Sequence, residues 1–188
     1  MVKFSSQLSI ILMLTLLISF LTGCIDVSSE NKSADNSDYE EDFEFTLLNG
    51  EKKSMSDFQG KYVLIDFFGV RCPPCQDQML VLTQIYEDYK QKNLEIVSIN
   101  VWIVTGETPE LVEQFITEAR EQGVYLNWTF GVDDTMGTLF YKYIPADAGV
   151  PMVYILGKNG NIYYSNAGYT DYLALTGKLD ELINSGGI

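Results

Sequence analysis

The stretch Tyr62-Val63-Leu64-Ile65-Asp66-Phe67-Phe68-Gly69-Val70-Arg71-Cys72-Pro73-Pro74-Cys75 decides the fold. Its first half is apolar at nearly every position, as expected of a strand covered by helices on both faces. Its second half opens a helical pattern over residues 72–91. There Met79, Leu82, Ile85, Tyr86 and Tyr89 recur at three- and four-residue steps and make one apolar face. Cys72 falls near the N-cap. Pro73 takes the first helical position, where its missing N–H costs nothing. Free amides and the helix dipole at that end favour a thiolate on Cys72, and Arg71 adds a positive charge. Cys75, one turn in, is expected to be shielded. Two cysteines so spaced between strand and helix read as a dithiol/disulfide switch. Asp66 is the exception inside the apolar run. A carboxyl there must be partly buried, with a raised pKa. It is either a satisfied polar residue at a strand end or a proton acceptor for the dithiol.

The surrounding chain supplies strands and helices in alternation. Residues 43–48 and 51–55 flank Asn49-Gly50, a hairpin signal. Ser56 can cap a short helical turn after them. Downstream, residues 94–104 read as a strand and 109–122 as a helix with Val112, Phe115, Ile116 and Ala119 inward. Residues 125–130 read as a short strand. Residues 133–143 read as a helix with Met136, Leu139 and Phe140 inward. Residues 152–156 and 161–165 form a second hairpin around a tight turn. A last helix over 171–185 carries Leu173, Leu175, Leu179, Leu182 and Ile183 toward the sheet. The order predicts an open α/β sheet in one domain. Pro151, at the head of a strand where it cannot donate to a ladder, fits a cis bond.

Composition removes whole classes of chemistry. The 188 residues are 46% apolar and carry a net charge of −14, with 12 basic and 26 acidic residues and no histidine. No basic stripe exists to meet nucleic-acid phosphates or anionic lipid. Histidine-based triads, histidine-ligated metals and histidine acid–base catalysis are excluded. A zinc knuckle would need two ligands beyond the single CxxC. No cofactor is expected beyond a redox-active Cys72–Cys75 pair.

The amino end explains the odd third cysteine. One lysine, Lys3, precedes an uncharged run over residues 8–21, short for a membrane span of about 20 residues. It runs into Leu21-Thr22-Gly23-Cys24, which resembles the bacterial lipoprotein box. That makes residues 1–23 a signal peptide and Cys24 a lipidated anchor, two acyl chains being enough for stable attachment. An uncleaved anchor helix is the alternative. Either puts the domain on the extracytoplasmic face of the membrane. Residues 24–42 are polar and acidic and read as a solvated spacer before a domain over 43–188.

Taken together, Asp66-x5-Cys72-Pro-Pro-Cys75 after a strand and Gly149-Val150-Pro151 before a terminal hairpin and helix resemble the thioredoxin fold. The opening LLNGEKKSMSDFQGKYVLIDFFGVRCPPC resembles the extracytoplasmic TlpA/ResA-like thioredoxins, and the resemblance covers residues 43–186. It implies a central mixed sheet flanked by helices, an N-terminal β-hairpin and an inserted strand–helix unit. It further implies Cys72 as nucleophile, Cys75 as resolving thiol, Asp66 as buried proton acceptor and Pro151 as a cis-proline facing the disulfide. Val150 would offer backbone to a substrate polypeptide, with Arg71, Pro73 and Pro74 around it. The implied activity is thiol-disulfide oxidoreduction by a monomer, most simply reduction of extracytoplasmic protein disulfides, cytochrome c maturation and thiol maintenance among such roles. A membrane thiol-reducing conduit would be the electron donor.

Two positions depart from that pattern. Arg71 stands where tryptophan is common, and Leu80 where proline kinks the helix. Two other functions compete. A peroxidase of the peroxiredoxin kind normally carries threonine three residues before its cysteine, and position 69 is glycine. A non-enzymatic lipoprotein could dock partners through the Val150-Pro151 groove.

Overall fold

The structure is a computed structural model that describes residues 39–186. The expected signal peptide, Cys24 and most of the expected spacer lie outside the described residues. Seven strands form one mixed sheet in the order β2-β1-β5-β4-β3-β6-β7. They are β1 (Glu44–Leu47), β2 (Lys52–Ser54), β3 (Tyr62–Phe68), β4 (Leu94–Asn100), β5 (Thr129–Val132), β6 (Met152–Leu156) and β7 (Ile162–Ala167). The helices are α1 (Pro73–Tyr89), α2 (Pro109–Glu121), α3 (Thr138–Tyr143) and α4 (Tyr172–Asn184). β3, β4 and β5 run parallel, and β6 pairs antiparallel with β3.

Every residue of β3 is buried, so its side chains serve two layers. Tyr62, Leu64 and Phe68 face a layer built with α1, α2 and α4. Val63, Ile65 and Phe67 face the layer containing α3, Met55 and Phe58. By alternation Asp66 falls on the α1 face. The register aligns Phe68 with Asn100 and Asn100 with Val132, so the parallel strands all end on one row. The loops leaving that row lie at the same end of the sheet as the entry to β6.

Several elements begin or stop at places that periodicity alone misses. The apolar run after β4 does not continue the strand to residue 104. Asn100 turns the chain, its Oδ1 accepting the Trp102 N–H at 3.0 Å, and Trp102–Thr105 becomes a 3-10 turn. The strand expected over 125–130 forms later, at Thr129–Val132. The helix expected from residue 133 starts at Thr138. Asp133 and Asp134 instead accept backbone N–H bonds from Asp134, Met136, Thr138, Leu139 and Phe140, which holds the preceding residues in a turn. Met136, expected inward, is consequently 77% exposed. Asp171 caps α4 by accepting the Ala174 N–H. That phase buries Leu175, Leu179 and Leu182 and leaves Leu173 exposed, where an inward position was expected. Ser56 does not cap the turn over Met55–Phe58. Asp57 accepts the Ser54 N–H, and Asp42 accepts the Ser56 N–H.

The spacer also ends earlier than its composition suggests. Tyr39 is buried against Gly160, where a β-carbon would lie 2.4 Å from the tyrosine ring. The Glu40 and Glu41 N–H groups donate to the carbonyls of Asn159 and Gly160. Glu41 accepts the Tyr143 hydroxyl at 2.7 Å. Residues 39–42 thus belong to the folded domain, ahead of the boundary expected at Phe43. They enter at the β6–β7 turn, the pole opposite the row where the parallel strands end.

Candidate functional site

Cys72 is the N-cap of α1, and Pro73 and Pro74 occupy its first positions. The Cys75 N–H points at Cys72 Sγ from 3.2 Å. Pro73 and Pro74 have no N–H to offer, so the Cys75 amide is the helix-start donor that faces the sulfur on which a thiolate would form. Cys72 and Cys75 are joined as a disulfide, with α-carbons 5.2 Å apart. Both sulfurs lie low in the surface, while Arg71, Pro73 and Pro74 around them are exposed. The α1 helix runs unbroken from Pro73 to Tyr89, with Leu80 half exposed on its outer face.

The expected partners come together at this end. The Val150–Pro151 peptide bond is cis. The Val150 carbonyl oxygen lies 3.6 Å from Cys72 Sγ. The Pro151 carbonyl accepts the Gly168 N–H at 2.7 Å, which ties this loop to the segment before α4. Buried Gln78 of α1 holds the same segment. Its side chain donates to the Thr170 carbonyl at 3.1 Å and accepts the Thr170 N–H at 2.8 Å. The dithiol helix and the cis-proline loop are therefore braced against one common connection.

Asp66 is fully buried on the α1 face. Burial pushes its carboxyl up to about 7 from 3.8, against a smaller lowering by the hydrogen bond from Ser98. The Ser98 hydroxyl donates to Oδ2 at 3.1 Å, and Oδ1 is buried without a hydrogen-bond partner. A carboxyl in this state can exchange a proton near neutral pH.

Sequence reasoning also misses Glu107. Glu107, placed in a loop by its Thr-Gly-Glu-Thr-Pro setting, is only 2% exposed. Its carboxylate accepts the Val70 N–H at 2.8 Å, the Arg71 N–H at 2.9 Å and the Asn100 side-chain amide at 2.6 Å. It bolts the backbone immediately before Cys72 to the loop after β4. No spacing rule links residue 107 to residues 70 and 71.

Trp102 covers the same loop. A β-carbon on Gly69 would lie 2.4 Å from two atoms of the Trp102 ring. Gly69→Ala should lower stability by about 1–3 kcal/mol, because the ring must shift from a packed position. Urea unfolding of the oxidised protein checks this, and an unchanged midpoint would show that the contact is dispensable.

Comparison with known proteins agrees with this architecture. The model of the AhpC/TSA family matches residues 38–165. A thiol-disulfide oxidoreductase ResA of Geobacillus thermodenitrificans is 30% identical over 122 residues, covering 64% of this chain and 63% of the relative. A ResA of Geobacillus kaustophilus is 38% identical over 74 residues, 39% of this chain and 40% of the relative. The chain thus spans less than two thirds of the length of either. Among solved structures, the thioredoxin domain of a thiol-disulfide oxidoreductase from Bacteroides vulgatus superposes with a TM-score of 0.62 at 21% identity, covering 77% of this chain and 94% of that one. StoA from Bacillus subtilis gives 0.58 at 21% identity, covering 74% and 96%. The fold is that of thioredoxin, and the family match, which takes in β1 through β6 and both cysteines, makes this chain a member of the AhpC/TSA family.

Proposed function

We propose that the protein is a thiol-disulfide oxidoreductase that reduces disulfides in extracytoplasmic polypeptides. The observation that carries it is Cys72 at the N-cap of α1 against the cis Val150–Pro151 loop, with Cys75 and a high-pKa carboxyl on the same side of the sheet. A thiolate on Cys72 attacks one sulfur of the substrate disulfide, and the electron pair of that bond leaves on the other sulfur. Cys75 then gives its proton to Asp66 and attacks Cys72. The substrate is released carrying two electrons more than it arrived with, and the 72–75 disulfide forms. Val150 offers backbone to the substrate strand, with Arg71, Pro73 and Pro74 forming the rim. A membrane thiol-reducing conduit would return the electrons. Residues 1–23 would direct export as a signal peptide, and a lipidated Cys24 would hold the domain, as a monomer, at the extracytoplasmic face of the membrane.

Peroxidase chemistry has less support. A hydroxyl-bearing side chain at position 69 would strike Trp102, and glycine stands there.

The test is trapping. Cys75→Ser incubated with a disulfide-bonded model polypeptide should form a stoichiometric adduct that dithiothreitol dissolves. Cys72→Ser should form none, and peroxide consumption with dithiothreitol should stay at background. If neither variant traps substrate, or if both cysteines of the reduced protein alkylate at one slow rate, the proposal fails.

A further inference from the structure

Asp66 is held by a chain that continues past Ser98. The indole N–H of Trp128 donates to Ser98 Oγ at 3.0 Å, and Ser98 Oγ donates to Asp66 Oδ2 at 3.1 Å. An indole nitrogen can only donate, so it claims a lone pair of the Ser98 oxygen and leaves the hydroxyl proton for Asp66. Trp128 is itself fixed. Its ring stacks on Phe130 at 5.5 Å and meets Tyr86 of α1 at 5.9 Å. The chain therefore has one sense, from Trp128 through Ser98 to Oδ2. The other oxygen, Oδ1, is buried and unpartnered.

We propose that Trp128 and Ser98 are positioning residues that lock one oxygen of Asp66 as a permanent acceptor, so that the carboxyl takes up and releases its proton at Oδ1. In the release step the Cys75 S–H bond breaks and its proton passes to Oδ1. The Cys75 sulfur bonds to Cys72 as the bond from Cys72 to the substrate sulfur breaks. Ser98 keeps its own proton and donates it to Oδ2 throughout, so the network does not need to invert.

The surroundings contain little else that titrates. Facing the α1 layer, β4 contributes Ile96 and Ser98, β5 contributes Phe130 and Val132, and β6 contributes Val153 and Ile155. From α1 come Cys72, Cys75, Met79 and Leu82. Tyr89, another titratable residue of α1, is bonded to Asp180 at the far end of the helix, and Tyr62 lies at the start of β3. No charged group contributes to the shift at Asp66.

The inference rests on the oxidoreductase reading only for the use made of the proton, and its test does not require turnover. The side-chain carboxyl carbon of Asp66 is followed by NMR from pH 4 to 9 in the oxidised full-length protein, where Cys72 and Cys75 do not titrate, and assigned by its loss in Asp66→Asn. Ser98→Ala should raise the midpoint by about 0.5–1 pH unit, the equivalent of one lost hydrogen bond. Ser98→Thr, which keeps the hydroxyl, should restore it. Trp128→Phe should raise it by a smaller amount, since the freed hydroxyl can then turn away. In the wild type the Trp128 indole proton should follow the Asp66 midpoint, with the Trp102 indole as an insensitive reference, and this coupling should vanish in Ser98→Ala. An unmoved midpoint in Trp128→Phe, or an indole resonance that ignores the titration, overturns the proposal. Failure of the oxidoreductase reading would show separately, as absence of trapped adduct with the Asp66 titration intact.

Discussion

Asp66→Asn should make the oxidised domain more stable at pH 8 by on the order of 4 kcal/mol, and by almost nothing at pH 4. The reasoning starts from burial. The carboxyl titrates at about 7 in the folded protein against 3.8 in the open chain. Between those values the folded state holds a proton that the unfolded state has lost. Stability is therefore fully present below the lower value and falls as pH rises toward the upper one. Three pH units correspond to about 4 kcal/mol. Asparagine has no charge to bury and escapes the loss. Urea unfolding of both proteins at pH 4 and pH 8 measures the gap directly. The same substitution should slow release of reduced substrate by about a hundredfold at neutral pH, because the acceptor for the Cys75 proton is gone. Gain in stability with loss of turnover would mark Asp66 as retained for chemistry. A gap that does not grow with pH would mean that the carboxyl is not held at about 7.

How much of this was legible depends on the range of the interactions. β3 and α1 were readable because their information is local: seven buried residues in a row, then a face repeating at helical spacing behind Cys-Pro-Pro-Cys. The cysteine pair, Asp66 and Pro151 were readable for the same reason, each standing out against its own neighbours. The misplaced boundaries all lie where side chains override a pattern. Val101-Trp102-Ile103-Val104 looks like strand, yet Asn100 turns the chain beneath it. Asp133 and Asp134 delay a helix that composition would start at once. The acidic tail of the spacer looks solvated, yet Glu41 is fixed by Tyr143, 102 positions away in sequence.

The supporting shell of the site was illegible on the same grounds. Trp128 reaches Ser98 across 30 positions, Glu107 reaches Val70 across 37, and Gln78 reaches Thr170 across 92. None of these residues breaks a local rule, so none attracts notice. A polar residue that is buried only by the tertiary fold leaves no local signature. What the sequence displays is the group proposed to react; what it conceals is the set of polar groups that hold it in register.

Glu107 is where that concealment should have its largest measurable consequence. Glu107→Ala would leave two backbone N–H groups and the Asn100 amide without an acceptor in a nearly closed space. Each of the three orphaned donors costs about 1–3 kcal/mol, so the variant should lose at least about 3 kcal/mol in urea unfolding at pH 7. Glu107→Gln separates this from lost volume. One end of its side chain can still accept, but the other presents an amide to an N–H donor, a mismatch of about 1–3 kcal/mol. The damage should also reach the chemistry, because the bonded residues are those immediately before Cys72. With Val70 and Arg71 released, the turn from the Gly69 carbonyl to the Cys72 N–H, now 3.3 Å long, loses its support. Adduct formation by Glu107→Gln in a Cys75→Ser background should then be slower than in Cys75→Ser alone, at a temperature where both are folded. Glu107→Gln as stable and as fast as its parent would show that the carboxylate is a passenger; a stability loss without a rate loss would confine its role to holding the β4–α2 loop.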